Sequence, residues 1–507
     1  MNKPLLIGYH TSDGMYFSKS NEFSMPAKTG GGVDFILCHY DPSGLSVREE
    51  CNKVAQTVKA VKDLGAEVII NFEKQNFVDE DISADGHDWA NRPDGTHRLN
   101  LPEEFKAAMA SQGNLAGVMY DELEHTILNR NVSIAMASKM KRDLPVFPVS
   151  ETDDVIEQGK LLDSQLKEYA EKMKTNGVET LSGEHVLPVM FHTFARNGII
   201  PNFKSQKESF SNVQFAVAAG AALQYGTPLF NCVDMWRMLT FPGHSAQELG
   251  ANLKFAYLCG IDRVYVESSK VFFENSEAGI YNDIGKTFSR FTKEYRGKER
   301  DYNVQDYKPE IGIIRFEDTF WGQGSTPFPW RNMLFGNPKI KPTKPAKEWI
   351  YAFNLITHGE TGTGGICADR IEPRSLLPHR SFASMNGAAV FDENVGEEPL
   401  STLKLCFLCG YTISEKTMSA VTKLVRENGL TVVTPSRFAP VEANAKNDYF
   451  EIKDGKGTWI VTDNLKSKKL KKRLMPFLGR KGEMCYRFGD KKLRMKITDK
   501  GNSFDLI

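Results

Sequence analysis

Apolar residues in the first 320 positions come in short runs separated by polar or helix-patterned segments. The runs are LLIGYH (5–10), VDFILCHY (33–40), AEVIINFE (66–73), AGVMYDE (116–122), VLPVMFHT (186–193), TPLFNCVD (227–234), DRVYVES (262–268) and EIGIIRFED (310–318). Each has the length and bounds of a strand. Amphipathic helix patterns precede three of them: VREECNKVAQTVKAVKDLGA before the third, VIEQGKLLDSQLKEYAEKMKTNG before the fifth and SAQELGANLKFAYLCGI before the seventh. Strand then helix, repeated, implies parallel strands, and eight such units predict a (β/α)8 barrel over residues 1–320.

After the eighth run the pattern changes. TFWGQGSTPFPWRNMLFGNPKIKPTKP is rich in Gly, Pro and aromatic residues, so 321–400 reads as an excursion over the barrel rim followed by a bridging segment. From about 401 to 465, LKLCFLCGYTISEKTMSAVTKLVRENGLTVVTPS reads strand, capped helix, glycine stop, strand, the unit of a doubly wound, flavodoxin-like α/β domain. Residues 466–507 read as a helix and a terminal β-hairpin segment. The expected class is therefore α/β, a (β/α)8 TIM barrel with a smaller C-terminal doubly wound domain.

Charge narrows the partners. Lys+Arg and Asp+Glu are both 64, so no overall field favours nucleic acid or a membrane surface, and neither is expected as a partner. No apolar run approaches the roughly 20 residues that span a bilayer. MNKPLLIGYH lacks an apolar signal-peptide region, which leads us to expect a cytoplasmic protein, or a periplasmic or secreted one if a leader was removed. Cys406 and Cys409 form the one C-x-x-C among eight cysteines; inside LKLCFLCGY they read as buried structural thiols. The run KSKKLKKRL reads as a solvated helix face.

The chemistry lies at the ends of the runs. Nearly every one finishes in a polar or ionisable residue, including His10, His39, Glu73, Asp121 with Glu122, His192, Asn231 with Asp234, Glu267, and Glu317 with Asp318. A barrel carries its active site at the carboxyl ends of its strands, so these describe a polar mouth on an apolar cylinder. A mouth of carboxylates with no metal cluster or nucleotide motif points to glycoside chemistry, in which one carboxylic acid protonates the leaving oxygen and a second carboxylate acts as nucleophile or base. Glu122 ends the fourth run and Glu267 the seventh, across the mouth from each other. No cofactor is expected, and the H-x-H spacing that metal-dependent barrels often carry on a first strand is absent.

Glutamates closing strands four and seven of such a barrel resemble clan A of the glycoside hydrolases, retaining enzymes that include many β-galactosidases. The resemblance implies that Glu122 is the general acid/base and Glu267 the nucleophile. The clan's usual Asn before the acid is replaced here by Asp121. The appended domain is similar in pattern to the flavodoxin-like domain of several clan members, which implies a possible homo-oligomer. An Asp-Glu pair also fits substrate-assisted hexosaminidases, where the Asp orients the substrate's acetamido group. An inverting mechanism on the same carboxylates and a non-catalytic carbohydrate-binding barrel complete the alternatives.

Around this pair, His10, His39 and His192 read as a polar subsite, and Trp236 and Trp321 as aromatic faces for sugar, with Trp330 beside them. The long segment after the third run places Glu73, Trp89 and Arg92 near substrate. Arg196, Lys204 and Lys207, in ARNGIIPNFKSQKESF, read as a solvated loop, with pairing to a uronate or sulfate as the functional alternative.

Overall fold

The computed structural model describes residues 3–11, 20–40, 45–72, 92–94, 101–123, 151–185, 188–206, 209–236, 242–322, 332–366, 381–441, 448–498 and 501–507. Eight parallel strands close into a barrel: β1 (Leu6–Thr11), β2 (Phe35–His39), β3 (Glu67–Asn71), β4 (Leu115–Asp121), β5 (Leu181–His185), β6 (Ile200–Ser205), β7 (Phe230–Val233) and β8 (Arg263–Val266). The helices expected before the third, fifth and seventh runs occupy Val47–Asp63, Val155–Met173 and Ala246–Leu258. Ser46 and Ser245 close capping boxes with Glu49 and Glu248, which fixes where two of them begin.

The strand count differs from the sequence reading in its second half. Among its described residues the run 186–193 forms no strand: β5 precedes it, and Phe191–Arg196 is a short helix. The segment read as a solvated loop contains β6. The sixth and seventh runs are therefore β7 and β8. The run 310–318 leaves the barrel, because its core, β9 (Ile311–Arg315), pairs with strands of the C-terminal sheet. The physical reason is shared by all these shifts. β5 (LSGEH) and β6 (IPNFKS) carry polar residues and give a weak apolar signal, whereas IGIIR is buried throughout and reads like any doubly covered parallel strand.

Besides two short antiparallel pairs, Lys3–Pro4 with Glu299–Arg300 and Phe273–Asn275 with Ile280–Tyr281, the further strands are β10 (Met385–Asn386), β11 (Ala388–Asp392), β12 (Leu405–Cys409), β13 (Thr431–Thr434), β14 (Phe450–Asp454), β15 (Gly457–Val461), β16 (Glu483–Phe488), β17 (Lys491–Thr498) and β18 (Gly501–Leu506). A six-stranded sheet runs in the order β11-β9-β12-β13-β15-β14, parallel except for the edge strand β14. The order doubles back at β9, as in doubly wound folds. This sheet begins before residue 320 and draws β11 from the stretch read as a bridge, so its limits are wider than 401–465. A four-stranded sheet, β10-β16-β17-β18, closes the chain.

The helix Ser211–Tyr225, after β6, joins the two halves. Its residues from Ser211 to Ala222 are all buried, because it is covered by the barrel on one side and by β11 on the other. Glycine is required where they meet: a β-carbon on Gly220 would lie 1.7 Å from the carbonyl oxygen of Val390.

Candidate active site

Inside the barrel, Phe35, Leu37, Ile69, Met119, Cys232 and Tyr265 pack into an apolar floor of their own. Above it stands Lys204 of β6, with 1% of its side chain exposed, in a cage of carboxylates from four strands. Its Nζ lies 3.3 Å from Asp121 Oδ1 and 3.2 Å from Glu122 Oε1 at the end of β4, and 3.0 Å from Glu184 Oε1 of β5. It is also 3.8 Å from Asp234 Oδ2 after β7 and 3.1 Å from Glu267 Oε2 after β8. The carboxyl ends of the strands thus place five acids around one ammonium.

Burial and charge oppose each other here. Burial disfavours the Lys204 ammonium, but Asp121, Glu184, Glu267 and Glu122 outweigh it and hold its pKa well above the usual lysine value. One cation cannot neutralise five buried anions. Glu184 is the acid that yields: burial, with Glu267 and Asp234 adding repulsion against the pull of Lys204, raises its pKa to about 8, so it carries a proton at neutral pH. Burial and the carboxylates Glu184 and Glu267 likewise raise the Cys232 thiol, which donates to Glu267 Oε2 at 3.6 Å.

The five acids differ in access. Asp121, Glu184 and Asp234 have side chains 0–1% exposed, whereas Glu122 and Glu267 keep 9% and 10%. Those two form the upper layer of the cage. Glu122 sits just past β4 at φ +52°, a left-handed conformation that non-glycine residues rarely adopt, and Ser268 after Glu267 has φ +60°. Both turns lift a glutamate off the end of its strand, and in the first the Glu122 backbone N–H donates to the Glu184 carbonyl at 3.0 Å.

The two glutamates selected from sequence therefore meet, with a changed address. Glu122 closes strand four as expected; Glu267 closes strand eight, and the acid after strand seven is Asp234. Asp121 accepts from Asn71 Nδ2 at 3.2 Å and is turned into the barrel, as is Asp234, whose Oδ1 accepts the Trp236 N–H at 2.7 Å. Trp236 itself is 42% exposed beside the mouth. His10 and His39 stack edge-on with ring centroids 4.1 Å apart near Lys204, and burial with the fields of His39 and Lys204 depresses the His10 pKa, keeping that ring neutral.

Several expected site residues lie elsewhere. His192 lies in the first turn of the helix Phe191–Arg196, with Nδ1 3.3 Å from Glu317 Oε1 and Nε2 2.9 Å from the Val390 carbonyl, so it ties the barrel to the C-terminal sheet. Asn231 is fully buried and donates to the carbonyls of Phe203 and Cys232, at 2.9 and 3.1 Å. Trp321 follows β9 rather than a barrel strand and is buried in the core, where its carbonyl accepts the Ile366 N–H. Arg92 is buried against Glu50, 3.2 Å away, and Arg196 bridges Asp163 and Asp392, at 2.6 and 2.8 Å. Glu73, Trp89, Lys207 and Trp330 lie outside the described residues.

Sequence reasoning missed Glu184 and Lys204. A signal existed: Ser182 and Glu184, then Asn202 and Lys204, are polar at a spacing of two, the period of side chains facing one side of a strand. The atoms of Glu184, Cys232 and Glu267 also lie within 4.8 Å of one another, the spread of a metal-ligand set, but the Lys204 ammonium is already bonded to both carboxylates.

No protein-family model and no curated protein matches the chain. Among solved structures, it resembles the β-galactosidase of the Antarctic haloarchaeon Halorubrum lacusprofundi, at 9% identity and a TM-score of 0.56, over 98% of this chain and 94% of that one. The likeness is one of fold and covers both the barrel and the C-terminal α/β domain. An exo-carrageenase of Bacteroides ovatus (9% identity, TM-score 0.43, 97% and 76% covered) and a GH5_18 protein of Streptomyces cattleya in complex with GlcNAc (12%, 0.43, 77% and 99%) align more loosely.

Proposed function

We propose that the chain is a glycoside hydrolase that cleaves an O-glycosidic bond at the barrel mouth by a retaining, two-carboxylate mechanism. The observation that carries this reading is the pairing of Glu122 and Glu267, the two most accessible acids of the cage, on one Lys204 nitrogen at 3.2 and 3.1 Å. Their bonded oxygens can be no farther apart than the sum of those distances. That limit accommodates the spacing of retaining pairs, whose carboxyl groups stand roughly 5–5.5 Å apart.

Glu267 is the nucleophile in this reading. Its attack on the anomeric carbon breaks the glycosidic bond, the leaving oxygen takes a proton from Glu122, and Glu122 then deprotonates the water that hydrolyses the glycosyl-enzyme. Glu184, protonated and 3.0 Å from Lys204, reduces the negative charge that this ammonium offsets beside the pair. Asp121, turned inward to Asn71 and Lys204, disfavours the substrate-assisted alternative, which needs that carboxylate free to meet an acetamido group.

An ammonium bridging both carboxylates also suits a barrel that binds carbohydrate without cleaving it. A screen of aryl glycosides and natural oligosaccharides separates the two. Turnover that disappears in Glu122→Gln/Glu267→Gln supports hydrolysis, and binding without turnover across the screen supports the second reading.

A further inference from the structure

A groove of about 900 Å³ opens where the amino ends of β9 and β12 meet the four-stranded sheet, and no barrel strand lines it. Six cations line it against three acids, an imbalance in a chain whose total charge is zero. Lys404 is paired with Glu310 at 2.7 Å, and Arg487 approaches the same carboxylate at 4.0 Å. Lys308, Arg480, Lys492 and Arg494 form no ion pair among the described residues.

The strand register sharpens the point. β16 and β17 alternate strictly, with Met484, Tyr486, Phe488, Leu493 and Met495 buried and the charged residues on the open face. On that face Arg487 stands directly across from Lys492. Like charges in directly opposed positions destabilise a sheet, so the pair works against folding. Glu310, 4.0 Å from Arg487 and already paired with Lys404, offsets this cost only in part, and a local cost of this kind is expected where a surface is built for a ligand.

We propose that this groove binds an anionic polysaccharide, a chain bearing sulfate or carboxylate groups, separately from the barrel mouth; the carbohydrate part of the assignment rests on the glycoside hydrolase reading above. Planar guanidinium groups of Arg480, Arg487 and Arg494 suit two-pronged bonds to such oxyanions. A volume of about 900 Å³ accommodates several charged units rather than one small ion. No aromatic residue lines it, so it lacks the stacking platforms of single-stranded nucleic-acid sites. It likewise lacks the apolar contacts of a membrane surface.

Retardation of the full chain in native gels containing dextran sulfate, polygalacturonate, neutral dextran or poly(dT) tests this at low ionic strength. We expect retardation by the sulfated chain, the carboxylated chain or both, and which of them acts identifies the oxyanion. Arg480→Glu/Arg494→Glu should weaken it roughly tenfold or more. Arg487→Gln, which relieves the like-charge pair, should weaken it while leaving the melting temperature equal or higher; a merely structural arginine would lower it. No retardation by either anionic polysaccharide, equal retardation by neutral dextran or poly(dT), or wild-type behaviour of the double variant would overturn the proposal. Binding is read without turnover, so failure of the hydrolase assignment and failure of this one are separate results.

Discussion

Lys204 Nζ lies 3.1 Å from Glu267 Oε2, and the two residues come from β6 and the end of β8, on either side of β7. The lysine takes the place toward Glu267 that a metal ion takes in other barrels: it sets a fixed positive charge against a buried carboxylate. Removing it leaves five acids around an empty centre. Lys204→Met should therefore destabilise the fold by about 3–5 kcal/mol at pH 7, the usual result of breaking a buried pair. Urea titrations at pH 7 and pH 5 check this. The deficit should shrink at the lower pH, where the orphaned acids take up protons, and a deficit independent of pH would argue against the cage.

The proton on Glu184 has its own signature. Its pKa near 8 in the folded chain exceeds the roughly 4.3 of an unfolded glutamate. The folded state thus binds a proton that the unfolded state has lost. The resulting stability is complete below the unfolded value and is lost as pH rises toward about 8. Glu184→Gln, neutral at every pH, should flatten that decline in denaturation curves taken between pH 5 and 9. It should also remove the alkaline fall in kcat that loss of the Glu184 proton imposes on the wild type.

Glu122 is tested by its leaving groups. An aryl group with an acidic phenol departs with little protonation, and an alkyl or sugar oxygen does not. Glu122→Gln should lower kcat/KM on natural linkages by roughly 10²–10⁴-fold, the usual contribution of a positioned acid, and by far less on dinitrophenyl glycosides. Equal losses on both would remove Glu122 from that role.

Much of this was legible in the chain before its structure. β1 to β4, β7 and β8 are apolar enough to announce themselves, and the polar residues at their ends led to Glu122, Glu267, Asp121, Asp234 and the His10–His39 pair. Where the reading failed, inward-facing polarity was the cause. β5 and β6 carry Glu184 and Lys204 toward the barrel axis, so the strands closest to the chemistry look least like strands. Their absence from the count pulled β9 into the barrel and took Trp321 and His192 to the rim, whereas β9 begins the second sheet and His192 meets Glu317 between the domains. Periodicity finds surfaces covered by apolar neighbours; it is weakest where a strand faces a polar interior.

The junction between the halves makes a separate stability prediction. Gly220→Ala would place a methyl group 1.7 Å from the Val390 carbonyl oxygen, a backbone atom that cannot move without shifting β11. Overpacking of this kind costs about 1–3 kcal/mol, and more where backbone must yield. Thermal melts should show a clear drop for Gly220→Ala and almost none for Gly226→Asn. Gly226 has open space around it and a left-handed φ of +65°, which Asn tolerates.

The central claim is that Glu267 attacks the sugar. Incubation with activated 2-deoxy-2-fluoro glycosides of the sugar found in the screen, followed by digestion and peptide mass spectrometry, reads the attacking residue directly. The account predicts one glycosyl adduct, on the peptide carrying Glu267, absent from Glu267→Gln. An adduct on Asp234, the acid that closes strand seven, or no adduct with a glycoside that the protein hydrolyses, would contradict it.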